Sequence, residues 1–115
     1  MVSPECQGAS EMKRIAGKMK LFPGMKAEYE RRHREIWQEL VLELKKAGIS
    51  DYSIYLDEET STLFYVLKLS DDNTYGDLPA QPVMRKWWDY MKDLMETNPD
   101  NSPVSIDLPE MFHLE

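Results

Sequence analysis

The sequence has few of the residues that build disulfides and zinc centres. Of its 115 residues, one is cysteine, Cys6, and two are histidine. A single cysteine cannot form a disulfide within the chain, and with two histidines it cannot supply the four ligands of a thiolate zinc site. No acidic segment has the spacing of an EF-hand loop, although carboxylate sites for Mg²⁺ or Ca²⁺ remain open.

Basic residues and long apolar runs are also scarce. The chain has 14 Lys and Arg against 21 Asp and Glu, a formal charge of −7, which is a poor match to a nucleic-acid backbone. The longest apolar run, Leu63–Leu67, is far shorter than the roughly 20 residues of a membrane span. Met1–Ser10 lacks the basic and apolar regions of a signal peptide. We therefore expect a cytoplasmic protein with no nucleic-acid or membrane partner.

What is present is typical of one globular domain. Apolar residues make up 42% of the chain and charged residues 30%, and the length suits a single hydrophobic core. Met1–Glu11 has no periodicity and is predicted to be a flexible N-terminal arm. Residues 12–115 are predicted to form the domain.

Hydrophobic periodicity predicts six elements in this domain. The first helix is the clearest, because an apolar stripe runs from Tyr29 to Leu44 and Gly48 is a suitable residue just beyond the end. In chain order we expect a strand over Lys13–Leu21, that helix, strands over Tyr52–Leu56 and Thr62–Leu69, a helix over Val83–Thr97, and a strand over Val104–Leu108. The order βαββαβ predicts a ferredoxin-like α+β fold, a four-stranded antiparallel sheet with two helices on one face.

The third strand is apolar on both of its faces. Leu63, Tyr65 and Leu67 alternate with Phe64 and Val66. Two helices can cover only one face of the sheet, so the other face needs a partner. We expect a homodimer packed sheet to sheet, that is, a dimeric α+β barrel. The alternative is a monomer in which the N-terminal arm or the C-terminal tail covers that face.

His33 lies within the apolar stripe of the first helix, one turn after Tyr29. The i, i+4 spacing places both side chains on one face, directed toward the sheet. Histidine exchanges protons near neutral pH, and a tyrosine hydroxyl can orient a neighbouring oxygen. The structural alternative is a core pair that bonds to itself or to a carbonyl. His113, near the C-terminus, is expected to be peripheral.

Trp87 and Trp88 are adjacent in the second helix, so their side chains point about 100° apart. Both cannot occupy the centre of one buried stripe, and one of them is expected to line a margin or a cavity. An indole offers a flat apolar face and one N–H donor, which suits a sugar ring. The alternative is a pair of core tryptophans. Tyr52 and Tyr55 lie on opposite faces of their strand, so only one can face the helices.

Five colinear segments between residues 12 and 114 resemble the L-rhamnose mutarotase family. They are Tyr29–His33 followed by Ile36 and Trp37, then Tyr52–Asp57, Arg85–Met91, Asn98–Pro103 and Met111–Leu114. Arg34 stands where family members often have Asn or Asp, and Gln38 stands where many have Pro.

The resemblance implies a small dimeric α+β isomerase, a mutarotase-like domain that interconverts the α and β anomers of L-rhamnose. It implies that His33 is the proton donor and that Tyr29, Tyr52, Trp87 and Trp88 contact the sugar. This reaction demands no redox cofactor or metal, so we expect none. Two alternatives remain: a dimeric α+β-barrel oxygenase or isomerase acting on a small aromatic substrate, and a non-catalytic sugar-binding module.

Overall fold

A four-stranded antiparallel sheet forms the centre of the protein in the computed structural model, which describes residues 13–115. The strands are β1 (Lys13–Lys20), β2 (Ile49–Asp57), β3 (Thr62–Leu69) and β4 (Ser105–Leu108), in the spatial order β2-β3-β1-β4. This order and the antiparallel pairings confirm the ferredoxin-like α+β prediction. The predicted arm, Met1–Glu11, lies outside the described residues.

Three α-helices are described where the sequence predicts two. They are α1 (Lys26–Arg34), α2 (Gln38–Lys46) and α3 (Pro82–Met91), and a 3₁₀ helix over Tyr75–Ala80 precedes α3. The prediction of one continuous first helix is wrong, because the chain becomes extended at Trp37, with φ −67° and ψ 133°. No Gly or Pro marks the break, and the apolar stripe continues across it because Ile36 and Trp37 also pack against the core.

The last helix ends at Met91, not at Thr97 as predicted. The chain turns back there because Leu94 and Met95 are buried where β1 ends. The Phe22 amide donates to the Leu94 carbonyl, and the Glu96 amide donates to the Lys20 carbonyl. These bonds replace the last turns of the predicted helix and return the chain to the sheet.

The helices cover one face of the sheet, as predicted. The β3 side chains on this face, Leu63, Tyr65, Leu67 and Leu69, are all buried in two clusters with residues of the helices. We call it the covered face. None of the helices in residues 13–115 is long and apolar enough to cross a membrane.

The opposite side of the sheet, called the open face, carries an exposed row of mainly apolar side chains. The strand registers place Tyr55, Phe64, Lys18 and Ile106 in one row across all four strands. Tyr55 is 65% exposed, Phe64 38% and Ile106 56%. The C-terminal tail does not cover this row, because its own apolar residues are at least 79% exposed: Met111, Phe112 and Leu114. Within residues 13–115 the open face therefore lacks a covering segment.

Candidate active site

A cavity of about 870 Å³ lies between the covered face of the sheet and the helices. Its volume is within the range of small-molecule pockets, roughly 300–1,000 Å³. A smaller hollow of about 70 Å³ adjoins this cavity, and His33 lines both. All five residues singled out from the sequence line both parts: Tyr29, His33, Tyr52, Trp87 and Trp88. Three separate segments of the chain thus bring these side chains to one place.

The His33 imidazole is held by a hydrogen bond to its own helix. Its Nδ1 lies 3.0 Å from the Tyr29 carbonyl oxygen, which can only accept. We therefore assign the proton of the neutral ring to Nδ1, which leaves the lone pair of Nε2 free. Burial lowers the pKa of His33 below its ordinary value of 6.5, while the bond to the carbonyl opposes this shift. At neutral pH the resting residue is an uncharged imidazole that can accept a proton at Nε2.

Aromatic rings fix the orientation of this imidazole. The Tyr29 ring stacks on it with the ring centres 4.4 Å apart, and Trp87 meets it edge-on at 5.3 Å. Trp37 in turn meets Trp87 edge-on at 5.1 Å. The break between α1 and α2 therefore has a role at the site, since it places Trp37 behind the tryptophan that contacts His33.

The two adjacent tryptophans differ in burial, as their helical spacing predicts. Trp87 is 7% exposed and belongs to the core cluster, whereas Trp88 is only partly buried at its margin. Both nevertheless line the hollow around His33. Trp87 is therefore a core residue, as the alternative reading of the sequence expected, but together with Trp88 it also forms one wall of the cavity.

Tyr29 and Tyr52 supply hydroxyl groups to the cavity. Tyr29 is 9% exposed, and Tyr52, although 42% exposed overall, places its ring against Tyr65 at a centre-to-centre distance of 6.5 Å. Burial raises the pKa of both hydroxyls well above the ordinary value of 10.0, so both remain protonated donors. Tyr55 lies on the open face beside Phe64, so only one tyrosine of the Tyr52/Tyr55 pair faces the helices.

Arg32 joins α1 to the end of α3, and sequence reasoning missed this contact. Its Nε donates to Glu28 at 2.7 Å, and its Nη1 donates to the Tyr90 carbonyl at 2.6 Å and to Asp93 at 2.9 Å. Hydrogen bonds from Arg31 and Arg32 lower the pKa of Glu28 to about 2. These hydrogen bonds of Arg32 hold the helical turn next to His33 against the end of α3. The sequence does not predict them, because an Arg on a charged helix face is usually exposed to solvent.

The turn cluster Asn98–Pro103 forms part of the cavity rim. Asp100, Ser102 and Pro103 line the cavity, while Asp100 also accepts the Ser102 amide at 3.0 Å and Asn98 donates to Ser102 at 3.0 Å. The cluster is therefore both a hydrogen-bonded turn and a wall of the site. Among residues 13–115, no three His, Cys, Asp or Glu side chains lie close enough to hold a metal ion.

Comparisons with known proteins identify the family of this chain. The family model described as L-rhamnose mutarotase matches residues 14–114. The chain belongs to the L-rhamnose mutarotase family. The L-rhamnose mutarotase of Rhizobium meliloti is 58% identical over 104 residues, which cover 90% of this chain and 100% of the relative. That of Bacteroides thetaiotaomicron is 57% identical over 104 residues, with the same coverage of each chain.

A solved structure extends the similarity to the fold. The crystal structure of L-rhamnose mutarotase from Formosa agariphila is 50% identical to this chain and superimposes with a TM-score of 0.83. The match covers 90% of this chain and 99% of that one. Membership of the mutarotase family therefore extends over nearly all of the described domain, and it argues against the oxygenase alternative.

Proposed function

We propose that this protein is an isomerase that interconverts the α and β anomers of L-rhamnose by opening and closing the sugar ring. One observation carries the proposal: in a member of the L-rhamnose mutarotase family, an imidazole with a free Nε2 lies in an aromatic cavity beside two protonated tyrosine hydroxyls. Such a group can move a proton between two oxygens of a neutral substrate.

Ring opening is a proton transfer coupled to the cleavage of one bond. The anomeric hydroxyl loses its proton as its oxygen forms a C=O bond to C1, the C1–O5 bond breaks, and O5 takes a proton. The C1–C2 bond then rotates, and the ring closes on the other face by the reverse steps. Since both oxygens are attached to C1 before cleavage, one group beside C1 can take the proton from O1 and deliver it to O5.

His33 suits this transfer because its resting state is neutral. Nε2 accepts the proton of the anomeric hydroxyl, and the resulting imidazolium donates the proton to the ring oxygen. The role of proton donor implied by the family resemblance is thus preserved, and the same nitrogen also acts as the base. Burial disfavours the imidazolium and so promotes the return of the proton to the substrate.

The remaining site residues would hold the sugar. Tyr29 and Tyr52 donate hydrogen bonds to its oxygens, because their hydroxyls stay protonated. Trp87 and Trp88 pack against its C–H face and its methyl group. Burying one methyl contributes only about 0.8 kcal/mol, so the hydroxyl contacts must supply most of the specificity.

The decisive experiment measures anomer exchange of L-rhamnose by saturation-difference NMR with and without the protein. The His33→Gln variant should lose about 10²–10⁴-fold of the acceleration, the usual contribution of a positioned acid–base group. His113→Gln is the matched control, because His113 is exposed in the C-terminal tail. A His33→Gln variant with the full rate would remove the imidazole from the mechanism. If L-rhamnose binds the native protein without faster exchange, the protein is a non-catalytic binding module.

We also propose that the protein is a cytoplasmic homodimer whose two sheets pack through their open faces. The support is the exposed row of Tyr55, Phe64 and Ile106, together with the exposed apolar tail beyond β4. The Arg14–Glu110 ion pair, 2.9 Å long, ties the start of this tail to β1. In the proposed dimer, the tail would extend from there to contact the second copy.

A further inference from the structure

The large cavity, which His33 also lines, carries polar groups that do not line the small hollow. Tyr65, Tyr75, Ser105 and Asp107 line the large cavity but not the hollow. They come from β3, the 3₁₀ helix and β4. Neither the sequence patterns nor the family segments single them out, so their arrangement is evident only in the folded chain.

Gly17 makes this arrangement possible. It lies on β1 between Tyr65 of β3 and Asp107 of β4, in one row across the sheet. A Cβ at Gly17 would lie 2.6 Å from the Cζ atom of Tyr65, too close unless the Tyr65 ring moved away. Because Gly17 has no side chain, the Tyr65 ring can lie across β1, and its hydroxyl is 2.9 Å from the Ser105 hydroxyl. The glycine therefore leaves room beside Asp107 for a floor formed by the Tyr65 ring and the Tyr65–Ser105 hydroxyl pair.

Asp107 differs from the other carboxylates that line the cavity. Glu30 pairs with Arg34 at 3.5 Å, and Asp100 accepts hydrogen bonds from Ser102. Asp107 is exposed at the edge of the cavity, and within residues 13–115 its carboxylate has neither an ion-pair partner nor a hydrogen-bond donor. Its charge also contributes to raising the pKa of the Tyr75 hydroxyl, after burial and Tyr65, so the two groups are neighbours in the cavity.

We propose that Asp107 is a substrate-binding residue that accepts hydrogen bonds from two neighbouring ring hydroxyls of the sugar, above the floor formed by Gly17, Tyr65 and Ser105. A carboxylate has two oxygens and accepts from two donors at once, as an adjacent pair of sugar hydroxyls requires. Asp107 thereby determines the orientation of the sugar ring in the cavity, and with it which sugar oxygens face His33. This inference rests on the proposed function, because it takes L-rhamnose as the ligand.

The test combines a variant with altered sugars. Asp107→Asn keeps the shape of the side chain but removes its charge and one acceptor. Asp71→Asn is the matched control, because Asp71 is exposed like Asp107 but does not line the cavity. Dissociation constants are measured by NMR titration for L-rhamnose and its 2-, 3- and 4-deoxy analogues. We expect Asp107→Asn to weaken L-rhamnose binding about tenfold or more, as for other hydrogen bonds to a charged group, with kcat changed much less than KM.

The deoxy sugars separate a direct contact from a structural effect. In the native protein, removal of either contacted hydroxyl weakens binding, whereas Asp107→Asn distinguishes that analogue from L-rhamnose much less than the native protein does. Equal dissociation constants for Asp107→Asn and native protein would overturn the proposal, as would a loss confined to kcat. Unaltered discrimination among the deoxy sugars in the variant would also overturn it. If native protein does not accelerate anomer exchange, the proposed function fails, whereas the titrations still report on Asp107.

Discussion

In β3 both faces carry apolar residues, yet the two faces of the sheet differ in architecture. On the covered face, Tyr65 lies across Gly17 with its hydroxyl bonded to Ser105, and helices stand over a cavity. On the open face, Tyr55 and Phe64 lie side by side in an exposed row, and no helix within residues 13–115 covers them. Apolar alternation along a strand shows that a face will be buried, but it does not distinguish a ligand site from a surface between subunits.

The polar atoms make that distinction. On the covered face, hydroxyls, an imidazole and a carboxylate converge from several elements on one space. The open-face row offers three apolar side chains and one lysine, Lys18, in a single layer. The first arrangement can recognise a ligand with many hydroxyls, whereas the second buries area against a similar flat surface. Substitutions on the open face should therefore alter assembly, and substitutions on the covered face should alter binding and catalysis.

The largest effect is expected on the open face. Phe64→Lys places a second cation directly beside Lys18 in the middle of the proposed dimer interface. Burial of an unpaired charge costs several kcal/mol, so the dissociation constant of the dimer should rise about 100-fold or more. Sedimentation equilibrium measures the change, and circular dichroism should show an intact fold.

Leu42→Lys is the matched control for this charge. Leu42 is 58% exposed on α2, away from the open face, so the same substitution there should leave the assembly unaltered. If Phe64→Lys remains as associated as the native protein, the open face is not the dimer interface. If the resulting monomer keeps its rate of anomer exchange, the covered face of one chain is a complete site.

An intermediate effect is expected for the covered face as the pH falls. Because burial lowers the pKa of His33, the folded protein binds its proton at lower pH than the unfolded chain does. His33 therefore leaves stability unaffected above pH 6.5 and reduces it as the pH falls from 6.5 through the folded pKa. The slope is at most about 1.4 kcal/mol per pH unit for one proton. Anomer exchange should fall over the same acid range.

Urea unfolding at several pH values measures the stability, and the difference between native protein and His33→Gln isolates this residue from the acidic groups. Glu28, Asp93, Asp100 and Glu110 have lowered pKa values and lose their own contributions at lower pH. A rate that declines with an inflection above pH 6.5 would contradict a neutral resting imidazole.

Much of the fold follows from the sequence, because local patterns determine it. The strand over Thr62–Leu69 is found with the predicted bounds, and the strand order follows from the element order. The helix ends were less predictable. Leu94 and Met95 continue the apolar pattern of α3 but are buried by pairing with the end of β1, a contact between distant residues that periodicity does not encode.

In the candidate site, too, contacts between residues close in the sequence could be predicted, whereas contacts between distant residues could not. His33 and Tyr29 are one helical turn apart, so their proximity can be read from spacing. The hydroxyls of Tyr65 and Ser105 are in contact although the two residues are 40 positions apart in the chain. This contact depends on the strand register and on the absence of a side chain at Gly17. A single sequence contains no local signal for such a pair, so the cavity floor could not be predicted.

The smallest effect is expected at the start of α2, above the covered face but outside the cavity. Two helices begin in the same way: Gln81 before α3 has φ −82° and ψ 130°, and Trp37 before α2 has φ −67° and ψ 133°. This extended backbone is what a residue preceding proline requires, and α3 indeed starts with Pro82. In α2 the same position is Gln38, which does not line the cavity.

Gln38→Pro should therefore stabilise the protein by about 0.4–1 kcal/mol, because it restricts the unfolded chain and the folded backbone already fits. Thermal unfolding should show a midpoint a few degrees higher, and Pro82→Gln should lower it by a similar amount. Anomer exchange should be unchanged in Gln38→Pro, since Trp37 keeps its position against Trp87. A lower midpoint in Gln38→Pro would mean that the break between α1 and α2 is strained. A higher midpoint with a slower rate would mean instead that motion at this break is needed for the sugar to enter the covered face.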